Sequence, residues 1–267
     1  MQQLNHFPEV TLLITTYNRS KSLYRLLKTF RELSVSFGDV VVSDDGSKAE
    51  HLDGIKALQK EFTFLLITAE KNQGLGANIN KGQEAVTRPY TLYVQEDFEP
   101  QPGFLEHFTD ALNYMNGDKS LDIIRFYAYF KYPYTKPYGK GFSEMLFSIS
   151  PFANNHIKFY VYSDHPHLRR SDFLKKFGRY TPNVGVDESE SGMALSFIKN
   201  GGKGLFFDKF NTVFEQVNTS DEPSTANRLS WRESQNPVFL AVRVIYLQGK
   251  LLKWTYKLWK TKKIENL

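Results

Sequence analysis

The sequence predicts an α/β fold: a mixed, mainly parallel sheet flanked by helices, with an amphipathic helix at the C-terminus. Three observations predict it. Short β-branched, apolar runs alternate with helical patterns from Val10 to Gln95, at the spacing of parallel βαβ units. Three of the four runs end in polar clusters, which a parallel sheet gathers at the carboxyl ends of its strands. The region from Pro237 to Lys263 is one long helical pattern.

Val10 to Thr15 reads as a buried strand, and Asn18-Arg19-Ser20 as a turn. Leu23, Leu26, Leu27 and Phe30 then recur at helical spacing. Asp39 to Ser43 is a second strand ending in the turn Asp44-Asp45-Gly46-Ser47. A helix over Leu52 to Phe62, a strand over Phe64 to Thr68, a loop at Asn72 to Gly76, a helix over Ala77 to Val86 and a strand over Pro89 to Gln95 follow. Phe104 to Tyr114 is helical. Arg125 to Tyr162, rich in Phe and Tyr and broken by Pro and Gly, reads as irregular chain with short strands. Glu190 to Lys199 is helical and stops at Asn200-Gly201-Gly202. The polar stretch Thr219 to Arg232 reads as a linker. The expected division is residues 1–230 as one domain, with halves of 1–105 and 106–230, followed by a helix over 231–267.

With 267 residues, 41% hydrophobic and 24% charged, the chain has the composition of a globular protein. The absence of cysteine excludes disulfides, thiolate catalysis and Cys-bound zinc. The first residues lack a signal-peptide layout, and no apolar stretch is long enough to span a bilayer, so a cytoplasmic protein is expected. The net charge of +5 is concentrated at the end: from Trp231 onward there are eight Lys or Arg against two Asp or Glu. The main body is therefore slightly acidic, which argues against nucleic acid as a partner.

Gln95-Glu96-Asp97 places two acids directly after an apolar strand. Hard divalent cations such as Mg²⁺ or Mn²⁺ take oxygen ligands and are often held by one or two carboxylates plus substrate phosphates. A solvated acidic turn is the competing reading. Asp44 and Asp45 offer carboxylates to a base N–H or a ribose hydroxyl, or simply an Asx turn. Thr15, Thr16, Tyr17 and Asn18 offer a ring for stacking and hydroxyls for a phosphate, or an ordinary strand end.

Taken in order, Ile14-Thr15-Thr16-Tyr17-Asn18-Arg19, Val41-Val42-Ser43-Asp44-Asp45-Gly46-Ser47, Asn72-Gln73-Gly74 with Ala77-Asn78, and Gln95-Glu96-Asp97 resemble the family-2 glycosyltransferases of the GT-A fold. The resemblance implies an inverting transfer of sugar from a nucleotide-sugar donor, UDP-linked by default, to a hydroxyl of a glycan or lipid-linked acceptor. It implies Thr15 and Tyr17 in the nucleotide pocket, Asp45 on the base with Asp44 supporting its turn, and Lys71 or Asn78 near ribose or diphosphate. Asp97 would hold Mn²⁺ or Mg²⁺. Glu96 stands where the family often has Asp, and its role is orientation or ribose binding.

Further on, His167-Leu168-Arg169-Arg170 with Phe173, Phe177-Gly178 and Tyr180 resembles the family's crossing from donor to acceptor site. His165, His167 and Arg169 are candidates for diphosphate or acceptor contact. Asp187-Glu188-Ser189-Glu190 stands where the family has an acidic pair, one member of which is the general base. The pair pattern favours Glu188, the first choice here; an ungapped count back from Gly201 favours Glu190, and Asp187 completes the set. Phe214-Glu215-Gln216-Val217-Asn218 contains no His where some relatives carry a late metal-binding one. The aromatic run Tyr127 to Tyr138 reads either as acceptor stacking surface or as core.

In the last helix, Arg243, Lys250, Lys253, Lys257 and Lys260 fall on one side, beside an apolar stripe of Val244, Leu247, Leu251, Trp254 and Leu258. A basic amphipathic helix with Trp suits an anionic membrane surface, so peripheral attachment to the inner face of the cell membrane is expected, in surface polysaccharide synthesis. The alternative is packing on the catalytic domain or on a second copy in a homodimer. Two other functions compete: a degenerate glycan- or partner-binding module, and a sugar nucleotidyltransferase. The second lacks its Gly-rich loop, since Thr-Thr-Tyr-Asn-Arg follows the first strand.

Overall fold

A computed structural model of the chain describes residues 4–150, 153–222 and 237–264. The first half is a run of strand–helix units: β1 (Asn5–Thr16), α1 (Ser20–Glu32), β2 (Val35–Asp44), α2 (Ala49–Leu58), β3 (Leu65–Ile67), α3 (Leu75–Glu84) and β4 (Tyr90–Gln95). A short β5 (Phe98–Pro100) and α4 (Phe104–Gly117) lead to β6 (Ile123–Arg125) and the hairpin β7 (Thr135–Gly139) and β8 (Phe142–Met145). After a 3-10 helix (His156–Val161) come β9 (His167–Arg170), α5 (Phe173–Phe177), α6 (Val186–Lys199), β10 (Gly204–Phe207), β11 (Phe214–Gln216) and α7 (Pro237–Lys260).

The principal sheet has nine strands in the order β3-β2-β1-β4-β9-β6-β10-β8-β7. All strands but β9 and β8 point the same way. The expected strands lie where the apolar runs placed them. β1 and β2 extend further back, because Phe7, Val35 and Phe37 add to the apolar core. β9 was not expected to be a strand. Its His167 and Arg169 look polar in sequence, yet both are fully buried between β4 and β6. Arg169 is accommodated because its guanidinium donates to Gln83 Oε1 (2.7 Å) and lies 5.7 and 5.3 Å from the rings of Tyr93 and Phe173.

One core lies beneath α1 and α4, where Leu23, Leu26 and Phe30 meet Leu12, Ile14 and Phe104. The other lies beneath α3 and α6, where Ile79 and Phe197 meet Leu13 and Tyr93. Alternation along β1 divides Leu12 and Ile14 from Leu13, as a strand covered on both faces requires. Most of the Tyr127 to Tyr138 run shares this packing role: Tyr132 is buried, whereas Tyr129 and Phe130 are exposed.

Gly76 fixes how closely α6 approaches α3. A Cβ there would collide with Ser189 Oγ and lie 2.9 Å from Tyr180 Cβ. A branched side chain must push α6 outward, so Gly76→Val is expected to lower stability by about 1–3 kcal/mol, read from a urea midpoint.

The inward side of α7 packs on the rest of the chain through Leu251, Trp254 and the fully buried Leu258. Much of the stripe expected to meet a membrane is thus taken up by protein. Leu252 (68% exposed), Tyr256 and Trp259 remain on the outside, beside Lys253 and Lys260. Among the described residues, no helix is long and apolar enough to cross a membrane. Most of the expected linker and the side chains of Arg243 and Val244 lie outside the described residues.

Candidate functional site

β1 lies between β2 and β4, with Thr16 opposite Asp44 and Thr15 opposite both Ser43 and Gln95. The three polar clusters therefore leave the sheet side by side. The Asp45 N–H donates to Thr16 O (3.0 Å) and the Glu96 N–H to Thr15 O (3.3 Å). Asn18, left-handed at φ 56°, donates its N–H to Ser47 Oγ (2.7 Å) and accepts from the Lys48 N–H (2.8 Å). Acids about fifty positions apart in sequence thus share one rim.

Asp44 binds its own turn, accepting N–H groups from Gly46 (3.1 Å) and Ser47 (3.0 Å). Asp45 accepts the N–H groups of Gln73 (3.0 Å) and Gly74 (2.9 Å) at the start of α3. Gly74 can present its N–H there because its φ of +89° suits glycine. Burial pushes the Asp45 carboxyl above its usual range, against the pull of these two amides and Lys81. Lys81 itself donates to the Asp44 carbonyl. Lys71, expected as an alternative to Asn78 near ribose or diphosphate, is exposed, and its backbone packs against Gly46.

Asn78 is buried, and its amide ties the strands together: it donates to Ser43 O (2.9 Å) and Thr16 O (3.4 Å) and accepts from Ser43 Oγ (2.7 Å). Its side chain braces the rim from behind. Thr15 likewise points inward, its hydroxyl 2.9 Å from Tyr93 Oη. Thr16, on the opposite face of the strand, has a buried hydroxyl without a partner among the described residues. Tyr17 is half-buried at the strand end.

At the far side of the rim, Arg19 Nη1 lies 3.0 Å from Asp97 Oδ2, and its Nε lies 3.7 Å from Glu96 Oε1. β11 pairs with β5 and brings Gln216 Nε2 to Asp97 Oδ2 (3.0 Å), while Asn218 Oδ1 accepts from Arg19 (3.3 Å). The segment noted for lacking a His therefore does reach the acid pair, with amides instead of imidazole. Asp97 Oδ1 is buried and has no hydrogen-bond partner among the described residues. Burial, then the neighbouring Asp97, pushes the Glu96 carboxyl up to about 8. No cage of three or more His, Asp or Glu occurs among the described residues. The buried, unpartnered Asp97 Oδ1 has the oxygen chemistry that a hard cation takes.

A second acidic group adjoins the rim. Gln95 Nε2 donates to the Asp164 carbonyl (3.0 Å), and the Asp164 N–H donates to Glu190 Oε1 (3.0 Å). Asp164 is buried, accepts Tyr162 Oη–H on Oδ1 (3.0 Å), and leaves Oδ2 without a partner among the described residues. Burial raises both carboxyls, and the charge of Asp164 raises Glu190 further. One side of Glu190 lines a cleft of about 480 Å³ between α6, the 3-10 helix and α7. Asp187 lies on the same wall. Glu188 points elsewhere: its side chain is 63% exposed and pairs with Lys257 at 3.5 Å.

His167 is buried beneath the rim with Nδ1 2.7 Å from His165 O; burial, then Arg169, holds it well below the usual imidazole range. His165 packs against the rings of Phe98, Tyr127 and Tyr129, with Nδ1 3.2 Å from Ser163 Oγ. Arg169, bound to Gln83 and Tyr180, has no exposed surface. The structure thus brings together Asp45, Glu96, Asp97 and Glu190, and withdraws Asn78, His167 and Arg169 into the interior. Arg19, Asp164 and Gln216 were not singled out from sequence. Arg19 lay within a quoted motif, but its partners come from segments far away in the chain.

Comparison with known proteins bears on the family and the fold. Residues 11–178 match Glycosyl transferase family 2. The cholesterol galactosyltransferase of Borreliella burgdorferi is 25% identical over 130 residues, 49% of this chain and 36% of that protein, so the chain spans about a third of that relative. The crystal structure of S. aureus TarS 1–349 in complex with UDP-GlcNAc has a TM-score of 0.56 at 16% identity, over 90% of this chain and 66% of that one. The mannosyltransferase PcManGT from Pyrobaculum calidifontis, in complex with GDP-Man and Mn²⁺, has a TM-score of 0.55 at 13% identity, over 96% of this chain and 76% of that one. The mixed sheet flanked by helices is the GT-A fold of these structures. With more than half of its residues inside the family match, the chain belongs to glycosyl transferase family 2.

Proposed function

We propose that the chain is an inverting glycosyltransferase that moves a sugar from a nucleotide-sugar donor, UDP-linked by preference, to a hydroxyl of a glycan or lipid-linked acceptor. The observation that carries this reading is the shared rim of Asp45 and Asp97, joined through Gln95 and Asp164 to the carboxyl of Glu190. Tyr17 and the loop held by Asp45 form the base pocket. Each Asp45 oxygen keeps a lone pair after accepting its backbone N–H, enough to accept a base N–H as well. The unpartnered Thr16 hydroxyl adds a polar group at the same end of β1.

Asp97 Oδ1 would hold Mn²⁺ or Mg²⁺, with Arg19 and Gln216 fixing the carboxylate through Oδ2. When bound, the cation neutralises charge on the leaving diphosphate. Glu190, the choice the geometry favours over Glu188, takes the acceptor's hydroxyl proton. The freed oxygen pair forms the new bond to the anomeric carbon from the face opposite the diphosphate, and the old carbon–oxygen bond breaks with its electrons on the nucleotide. The test is a thermal-shift series of UDP, GDP and their sugars with and without Mn²⁺. UDP with Mn²⁺ is expected to raise Tm, by an amount corresponding to about 2.7 kcal/mol when ligand reaches 100 Kd. No metal-linked shift with any nucleotide sinks the reading.

The acceptor is proposed to lie at the inner face of the cell membrane, in surface polysaccharide synthesis, with α7 on the lipid surface. Leu252, Tyr256 and Trp259 beside Lys253 and Lys260 support this. The chain is expected to sediment with vesicles containing phosphatidylglycerol and not with phosphatidylcholine alone, and Tyr256→Ser/Trp259→Ser to weaken the association. Equal partitioning to both vesicle types removes the membrane assignment.

A further inference from the structure

The cleft beside Glu190 has two chemically different walls. α6 supplies Asp187 and Glu190; α7 supplies Lys250, Lys253 and Trp254. The walls do not neutralise each other: among the described residues, the only ion pair joining the two helices is Lys257 with Glu188. Lys250 Nζ is held in place, donating to Tyr160 Oη (2.6 Å) and lying 4.5 Å from the Trp254 ring centroid. That arrangement leaves other ammonium N–H groups for a ligand. Lys253, one turn on, is exposed and makes no ion pair among the described residues. Two positive charges beside aromatic faces suit a sugar ring that carries an anionic group: the ring lies against Trp254, and the anion meets the ammonium groups. A volume of about 480 Å³ accommodates such a group.

We propose that this cleft is the acceptor subsite and that it selects acceptors bearing a phosphate, held by Lys250 and Lys253 while the reacting hydroxyl meets Glu190. The assignment rests on the glycosyl-transfer reading, which it deepens by naming the acceptor's chemistry. Gly249 gives a clean way to close the cleft. It lines the wall, and a Cβ built on it meets nothing within 4 Å. A large side chain begun there is therefore expected to obstruct the cleft, its Cβ meeting no atom of the surrounding helices.

The experiment is calorimetric titration of the full chain, saturated with UDP and Mn²⁺, using glucose 1-phosphate, glucose, and monomeric dioctanoyl phosphatidic acid. Glucose 1-phosphate is expected to bind and glucose not to bind. Lys250→Gln/Lys253→Gln is expected to weaken phosphate binding about tenfold or more, and Gly249→Phe to abolish it. Lysine-dependent binding of the sugar phosphate points to a glycan phosphate as the source; the same dependence with the phosphatidic acid alone points to a lipid phosphate. The assignment is overturned if neither phosphate saturates, if glucose binds as well as its phosphate, or if the variants titrate like the parent. Binding of UDP with Mn²⁺, measured first on every variant, separates failure of the donor reading from failure of this one.

Discussion

Glu190→Gln is expected to reduce kcat by about 10²–10⁴-fold, the usual contribution of a positioned general base. Glutamine can still accept the Asp164 N–H through its amide oxygen, so the local hydrogen bond survives and only the basicity is lost. Binding of UDP with Mn²⁺ should be unchanged, because Glu190 belongs to α6 and not to the rim itself. Stability should rise slightly at neutral pH. A carboxyl whose pKa is raised by folding opposes folding above its unfolded pKa, near 4.3, so the gain should vanish in acid below that value. Glu188→Gln should retain near-parental turnover, since it removes only an exposed pair with Lys257. Loss of turnover in the Glu188 variant with retention in the Glu190 variant reverses the assignment. The acid limb of kcat/KM is expected well above the usual carboxylate range. Asp164→Asn should move that limb down, because it removes the like charge beside the base.

The second large effect is expected at Asp97. Asp97→Asn should lower turnover by about 10³-fold and abolish the dependence of UDP binding on Mn²⁺, because a neutral amide is a poor ligand for a hard cation. Asparagine is preferred to alanine here. Deleting the whole group would take from the nearly buried Arg19 its 3.0 Å ion pair and leave it only the longer contact with Glu96 and the Asn218 amide among the contacts described; breaking a buried pair from one side costs about 3–5 kcal/mol. The amide oxygen can still accept from Arg19, so a catalytic loss is not confused with unfolding. Unaltered turnover on a working acceptor removes the metal assignment.

The strands leading to the rim were legible in the sequence because β1, β2 and β4 are apolar runs that stop abruptly at polar clusters. A parallel sheet converts that pattern into a common edge without further information. β9 was not legible as a strand, since His167 and Arg169 carry the polarity of surface residues. Their burial depends on Gln83, Tyr180 and two aromatic rings supplied from elsewhere in the chain. Asp164 was passed over for the same reason. It belongs to no acidic run, and its importance comes from the contact with Glu190, 26 positions later. The choice between Glu188 and Glu190 was open because both lie in one acidic stretch. Only the docking of α6 decides which of them turns inward and which meets Lys257 in solvent.

The segment from Phe214 to Glu222 is made late yet completes structures made early. β11 pairs with β5, Gln216 and Asn218 reach Asp97 and Arg19, and Glu222 accepts the N–H groups of Lys21 (3.0 Å) and Ser22 (2.8 Å) at the start of α1. On a ribosome, the first hundred residues emerge with every polar cluster of the rim and without the later partners that complete it. Arg19 and the first turn of α1 wait for partners about two hundred positions downstream, and Asp97 for one 119 positions downstream. Nascent chains released before Phe214 should therefore neither bind nor consume nucleotide sugar.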